Sequence, residues 1–405
     1  MTIARRALTI AVALAAALVG SAPAALAADA HLTADLTHLS AHAGGDGSFV
    51  VLDGSSGKTL AAAHPDRVQP LGSTAKLVST GAALDALGTN AALRTTVLTS
   101  AAIDPSGTLV GDLFLHGGGD PLLDEQQLAK LADAVQAHGI RAIAGSVVGD
   151  ETAFDALRGG PATGGAFDLN LQGTLGALTY ARGREAPGGP LQPDPARAAA
   201  FRFDDVLEAR GITIRGTPRA GAAPAAGTVT LGTATDRLAA VVKIIDKQSD
   251  DFGAEIVAKD LGVATGRGGT TAAGAAAATK YAKRLGATLT LVDGSGVDRQ
   301  TRGAARQLAR YVRRIRTRPA LAAALPIAGV DGTLKDRMTT GRAHRVCRAK
   351  TGSLPQTRVS ALAGWCRTGG RTLVFAFLRE RVSSQDAAKA AEDAMVQRLV
   401  TPPRR

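Results

Sequence analysis

Pro70-Leu71-Gly72-Ser73-Thr74-Ala75-Lys76-Leu77 sets a serine three residues ahead of a lysine at the head of an apolar run. Val78, Ala82, Ala83, Leu84 and Leu87 continue the run at helical spacing and Gly88 closes it. Residues i and i+3 share one helix face, so the Lys76 amine reaches the Ser73 hydroxyl. Ser73 would also sit at a helix N-terminus, where free N–H groups and the dipole favour developing negative charge. A serine hydroxyl is a poor nucleophile until a base takes its proton, and a desolvated lysine amine is such a base. Taken alone, the pair also reads as an ordinary N-cap.

Two later stretches give the pair company: Ser249-Asp250-Asp251 and Lys350-Thr351-Gly352-Ser353. Ser-x-x-Lys, Ser-Asp-Asn and Lys-Thr-Gly, in that order, form the catalytic set of penicillin-binding proteins and class A β-lactamases. The middle member departs from it, with Asp251 where the pattern has asparagine.

The 405 residues suffice for two or three domains with real cores, and a hydrophobic content of 45% excludes a disordered chain. Residues 1–27 read as a secretory signal, with Arg5 and Arg6 as its positive end, Ala7 to Val19 apolar and Ala25-Leu26-Ala27 as cleavage site. The adjacent arginines admit a twin-arginine signal. No later apolar run is long enough to span a bilayer, so the mature protein is expected to be exported, soluble and without an integral membrane segment. Formal charge is +12, from 47 basic and 35 acidic residues, and draws the protein to anionic polymers. Nucleic acid is not expected as a partner, because aromatic residues for base stacking are only 3% and the chain is expected to leave the cell. A bacterial cell wall fits. Arg302, Arg306, Arg310, Arg313 and Arg314 read as the solvated face of a helix that buries Leu308, Val312 and Ile315. His31, His38 and His42 lie close in sequence, but no Cys or Glu completes a metal pattern, so neither metal nor cofactor is expected.

Along the chain, Ala30 to Ser40 reads as a short helix. Ser48 to Leu52 and Thr59 to Ala63 read as strands around the turn Asp53-Gly54-Ser55-Ser56-Gly57. Residues 90–234 carry strand candidates of their own (Thr95 to Leu98, Leu113 to His116, Ile143 to Val148), a helix candidate from Asp124 to His138, and Gly- and Pro-rich stretches. They are expected to form one or two inserted small domains. His116-Gly117-Gly118-Gly119 lacks a Gly-x-Ser-x-Gly partner and reads as a turn rather than a lipase oxyanion loop. From Leu238 the chain is expected to be helical through Ser249 to Leu261. Asp293-Gly294-Ser295-Gly296 is a tight turn, Val346 to Lys350, Val359 to Trp365 and Thr372 to Leu378 are strands, and Asp386 to Leu399 is a terminal helix. The expected fold is α/β (α+β): one sheet-and-helix domain from residues 28–89 and 235–405, interrupted by the insertion. Cys347 and Cys366 flank a hairpin turning near Pro355-Gln356-Thr357 and so face each other across the strands. That approaches disulfide reach in an oxidising compartment; two buried free thiols are the alternative.

The chain resembles the D-alanyl-D-alanine carboxypeptidase/endopeptidases of the low-molecular-mass class C penicillin-binding proteins over nearly all its mature length. Beyond the three motifs, the likeness rests on Gly111-Asp112-Leu113, Gly119-Asp120-Pro121, Gly149-Asp150-Glu151-Thr152, Asp293-Gly294-Ser295-Gly296 and Leu325-Pro326-Ile327-Ala328-Gly329-Val330-Asp331-Gly332-Thr333-Leu334, together with the long insertion. It implies a transpeptidase/β-lactamase-like domain carrying the site. Ser73 would attack a D-Ala-D-Ala peptide of peptidoglycan and form an acyl-enzyme, with Lys76 as base and Ser249 relaying the proton to the leaving amine. Lys350, with Thr351, Gly352 and Ser353, would receive the substrate carboxylate. The N–H groups of Ser73 and Ser353 would form the oxyanion hole, and β-lactams would acylate Ser73. An ionised Asp251 cannot donate to the substrate amide as the family asparagine would, and Leu71-Gly72 replaces the usual Pro-Ala. Three rivals stand beside this reading: a wall-binding relative without activity, motivated by Asp251; a β-lactamase, against which Ala166 stands where Phe167-Asp168-Leu169-Asn170 would need a preceding Glu; and a serine esterase.

Overall fold

A computed structural model describes residues 22–401. The leader expected over residues 1–27 falls, up to residue 21, outside the described residues; from there the chain runs in a helix, Ala22–Ala41.

Five antiparallel strands form the central sheet in the order Cys347–Thr351, Ser360–Thr368, Arg371–Glu380, Asp46–Asp53, Thr59–Ala63. Its middle strands are apolar at nearly every position because helices cover both faces, and alternate side chains serve two cores. Val50 and Leu52, with Ala361, Ala363, Trp365, Val374, Ala376 and Leu378, face one core. That core takes in helices Lys76–Leu87, Leu238–Gln248, Asp251–Ala264, Thr271–Arg284 and Ala305–Ile315. Phe49 and Val51, with Leu362, Phe375 and Phe377, face the other, against helices Ala22–Ala41 and Gln385–Leu399. Each fully buried valine, leucine or phenylalanine among them stabilises the fold by about 1.5–3 kcal/mol.

Residues 92–237 hold two further sheets. The larger has the order Arg219–Ala220, Val147–Asp150, Leu113–Gly117, Ala92–Thr99, Val229–Arg237. A separate core, including Val97, Leu115, Leu128, Val135, Phe203 and Val206, packs beneath it. The outgoing strand Ala92–Thr99 and the returning strand Val229–Arg237 pair antiparallel, so Ala92 lies opposite Arg237 and the Leu238 N–H donates to the Ala91 carbonyl at 2.9 Å. The chain therefore returns where it left. This brings the start of helix Leu238–Gln248 beside the end of helix Lys76–Leu87.

Three expectations change in detail. The helix expected through Ser249 is two helices, Leu238–Gln248 and Asp251–Ala264. Ser249 breaks them by adopting φ +60°, and the Asp250 side chain caps the second by accepting from the Gly253 N–H. Ile143 to Val148 is split between two sheets, as Ala142–Ile143 and Val147–Asp150. Arg302 does not belong to the arginine helix: Arg302–Ala304 pairs with Val68–Pro70, and the helix begins at Ala305. Among the described residues, no helix is long and apolar enough to cross a membrane.

Candidate active site

Ser73 lies in a 3₁₀ turn, Gly72–Ala75, that runs directly into helix Lys76–Leu87. The turn is buried on every side, because Gly72, Gly296 and Gly352 let three backbones meet there. A Cβ on Gly296 would stand 2.0 Å from the Gly72 carbonyl oxygen, one on Gly72 2.9 Å from the Gly352 oxygen, and one on Gly352 3.2 Å from the Ser73 nitrogen. Gly72 and Gly296 also have φ of +51° and +82°, which favour glycine.

Lys76 is fully buried, and its Nζ reaches three oxygens: Ser73 Oγ at 2.8 Å, Asp251 Oδ1 at 2.5 Å and the Ser295 carbonyl at 2.8 Å. An ammonium spends all three hydrogens on these acceptors. A neutral amine would keep two hydrogens for Asp251 and Ser295 and turn its lone pair to the Ser73 hydroxyl, which is the arrangement of a general base.

Ser249 Oγ accepts from Lys350 Nζ at 2.7 Å, and Lys350 also donates to the Thr351 carbonyl at 3.0 Å. Burial pushes the Lys350 amine down to about 7, helped by the charge of Lys76 and opposed by Asp246 and Asp251. Asp246, wholly buried, accepts from the Thr80 hydroxyl at 3.2 Å. Burial raises it to about 7 against the pull of Lys350 and Lys76. Asp246 thus adds to the two lysines a buried carboxylate that the motifs do not contain.

Strand Cys347–Thr351 presents Lys350 at the sheet edge. The stretch Leu325 to Leu334 lines that edge: the Ala349 N–H donates to the Pro326 carbonyl at 3.1 Å, and Thr351 Oγ1 lies 2.9 Å from Thr333 Oγ1. Lys247 ties the same stretch to helix Leu238–Gln248 through Asp331 at 2.5 Å and the Leu325 carbonyl at 2.8 Å. Cys347 and Cys366 are register partners on adjacent strands and are joined by a disulfide.

Two sets of residues around this centre carried no signal in the motifs. Glu255, fully buried, accepts from the N–H groups of Gly294 and Ser295 at 3.0 and 2.8 Å and so aims the Ser295 carbonyl at Lys76. Burial, then the charge of Asp293, raises the Glu255 carboxyl to about 7. Arg182, from the inserted region, forks onto both oxygens of Asp250 at 2.8 Å each and lies 4.6 Å over the Phe252 ring. Burial alone would raise Asp250, but Arg182 outweighs it and holds the carboxyl below its usual range. The clamp seats the Ser249–Asp251 turn. A cleft of about 420 Å³ opens beside Asp251, Ser353 and Gln356, walled on the far side by Asp168, Asn170 and Gln172. Asp168, Leu169 and Asn170 thus line the cleft, and the segment they belong to carries Ala166 where a β-lactamase would need its glutamate.

A buried serine held by a lysine three residues on, inside a sheet-and-helix fold, is an arrangement suited to serine acyl-transfer chemistry. The profile of the D-Ala-D-Ala carboxypeptidase 3 (S13) family matches residues 28–164 and 181–401, and the chain belongs to that family. It is 27% identical over 435 residues to the D-alanyl-D-alanine carboxypeptidase of Actinomadura sp. (strain R39), covering 86% of this chain and 80% of that protein. The fold is shared with penicillin binding protein 4 (dacB) from Haemophilus influenzae, with TM-score 0.79 and 20% identity over 90% of this chain and 98% of the other. It is shared too with a predatory peptidoglycan endopeptidase from Bdellovibrio bacteriovorus, with TM-score 0.61 and 17% identity over 87% and 92% of the two chains.

Proposed function

We propose that this chain is an exported D-Ala-D-Ala carboxypeptidase/endopeptidase that cleaves peptidoglycan stem peptides through an acyl-enzyme at Ser73 and is acylated there by penicillin. The observation that carries the reading is the fully buried Lys76 amine 2.8 Å from Ser73 Oγ. Neutral Lys76 takes the Ser73 proton as Oγ attacks the carbonyl carbon of the penultimate D-alanine. The N–H groups of Ser73 and Ser353 hold the resulting oxyanion. As the C–N bond breaks, a proton passes through Ser249 to the departing amine, and water later hydrolyses the ester. Lys350, with Thr351 and Ser353, pairs with the terminal carboxylate, and the cleft beside Asp251 receives the peptide. Residues 28–89 and 235–405 act as the penicillin-binding domain, and residues 90–234 as the insertion that walls the cleft.

The Bdellovibrio endopeptidase has been obtained acylated by penicillin G, which supports penicillin as the probe. Mass spectrometry after penicillin treatment is expected to place one adduct on the peptide carrying Ser73. An adduct elsewhere, or full labelling of Ser73→Ala, sinks the assignment. Asp251 keeps a second reading open, a relative that binds wall peptides but acylates slowly; absence of any label on the folded protein would favour it.

A further inference from the structure

Helix Ala305–Ile315 buries Leu308, Ala309, Tyr311, Val312 and Ile315 and turns its arginines outward. Those arginines differ in what they meet. Arg306 pairs with both oxygens of Asp66, at 2.7 and 3.0 Å. Arg313 is fixed by backbone: it donates to the Gly54 carbonyl at 3.0 Å and to the Ser55 carbonyl, with its guanidinium resting over Gly57. The side chains of Arg310 and Arg314, one helical turn apart and both exposed, make no hydrogen bond or close ion pair among the described residues, although Arg310 is near enough to Asp66 for its charge to help lower that carboxyl. Between them and the facing loops lies a cleft of about 260 Å³ lined by Ser56, Gly57, Gly286, Arg310, Arg313 and Arg314.

The carboxylates nearest this cleft spend their hydrogen bonds elsewhere, and Asp66 reaches Arg310 only through longer-range charge. Asp53 accepts from the N–H groups of Ser55 and Ser56 and pairs with Arg371; Asp66 holds Arg306; Asp85 holds Arg284 and Arg318. Like charges one turn apart on a helix repel, so Arg310 and Arg314, with Arg313 held beside them by backbone carbonyls, make the concavity favourable to an anion. Guanidinium forks fit phosphate oxygens two at a time. The other side chains at the cleft are Leu52, Leu285 and Ser56, and none is aromatic. A polymer that needs its bases stacked finds no platform there.

The cleft lies far from Ser73. Lys350 is in register, strand by strand, with Ala363, Ala376 and Val50, whereas Gly54 lies beyond Asp53 at the other end of that strand. Three strand spacings and about four residues along a strand separate them by on the order of 20 Å. Both sites can be filled at once.

We propose that this cleft binds the phosphodiester groups of a polyol-phosphate polymer and so tethers the enzyme to an anionic wall while the Ser73 site stays free. The probe is poly(glycerol phosphate), titrated into the full chain at two salt concentrations. Arg310→Ala/Arg314→Ala is expected to lose at least tenfold in affinity and to lower the slope of log affinity against log salt by about two, one per arginine. Arg267→Ala/Arg342→Ala, which removes the same charge elsewhere, is expected to change affinity less than twofold. Penicillin acylation of both variants should match the parent, which shows them folded and reads the Ser73 chemistry separately. The proposal is overturned if the cleft variant binds like the parent, or if both variants lose equally, since the attraction is then diffuse charge. Binding polygalacturonate as tightly as the phosphate polymer, or single-stranded DNA more tightly, also overturns it.

Discussion

Replacing Asp251 by asparagine changes two things at once, and they have opposite signs. Asp251 Oδ1 accepts from Lys76 Nζ at 2.5 Å, and an ionised carboxylate offers the substrate amide no donor. An asparagine in its place would keep an oxygen toward Lys76 and turn an N–H to the substrate carbonyl. A net hydrogen bond is worth about 0.5–1.5 kcal/mol, and 1.4 kcal/mol in the transition state is about tenfold in rate. Against this, Asp251 is one of two carboxylates that hold up the Lys350 amine, which burial has already brought down to about 7. Removing it moves Lys350 further down. At pH 6 Lys350 is still mostly ammonium in wild type and about half ammonium in the variant, so most of the carboxylate-binding charge remains. Above the midpoint, an amine about tenfold less basic would cut the ammonium fraction about tenfold and cancel the gain. Asp251→Asn is therefore expected to acylate about fivefold faster at pH 6 and no faster at pH 8. The measurement is the second-order rate with a fluorescent penicillin under excess reagent. An equal or slower rate at pH 6 would refute the claim that the carboxylate handicaps the site. An undiminished gain at pH 8 would refute the part assigned to Lys350.

Arg182→Ala removes two hydrogen bonds from the Asp250 carboxylate, which is 10% exposed, while Arg182 itself is 32% exposed. Solvent on the arginine side discounts the 3–5 kcal/mol of a fully buried pair to about 2 kcal/mol of stability; acylation should slow as the Ser249–Asp251 turn loosens, Arg182→Lys should recover part of it, and an unchanged rate in Arg182→Ala would reject the clamp. Glu255→Gln copies the protonated acid. Because Glu255 is raised to about 7, the folded state holds its proton more tightly than the unfolded chain, and wild type is increasingly penalised as pH rises from about 4.5 toward 7. The variant should melt like wild type at pH 5 and a few degrees higher at pH 8; a pH-independent difference would remove Glu255 from this role. Denaturing, non-reducing thiol titration should find no free thiol, and reduction should cost about 3 kcal/mol of stability for a loop of this size; two titratable thiols would reject the bridge.

What the sequence made legible follows from how far each signal reaches. Ser73 and Lys76 are three residues apart, and local helical geometry brings them to 2.8 Å. Cys347 and Cys366 are related by one hairpin, so counting from its turn gives the register that pairs them. Two-sided burial explains the apolar strands, and the motifs supplied the order of the remaining site segments. The break at Ser249 stayed hidden because apolar periodicity runs through it; only its φ of +60° parts the helices. Arg182 and Glu255 were illegible for another reason. Each acts on a site element through a contact that depends on how separate segments pack, and an arginine in a Gly- and Pro-rich stretch or a glutamate inside an apolar helix carries no local mark of that. Asp246 belongs with them: one residue before Lys247, it looks solvated in sequence and is wholly buried in the fold.

The pairing of Asp46–Asp53 with Arg371–Glu380 has a consequence for the life of the chain before it is an enzyme. The ribosome releases the nucleophile's segment early, yet the partner of its neighbouring strand, and Ser295, Lys350 and Gly352 with it, emerge only in the last third. Until then Ser73 stands in a turn with no wall behind it and no second lysine within reach. Such long-range closure is entropically costly and slow. The walls of the Ser73 turn can therefore be complete only after the chain has been made through Gly352.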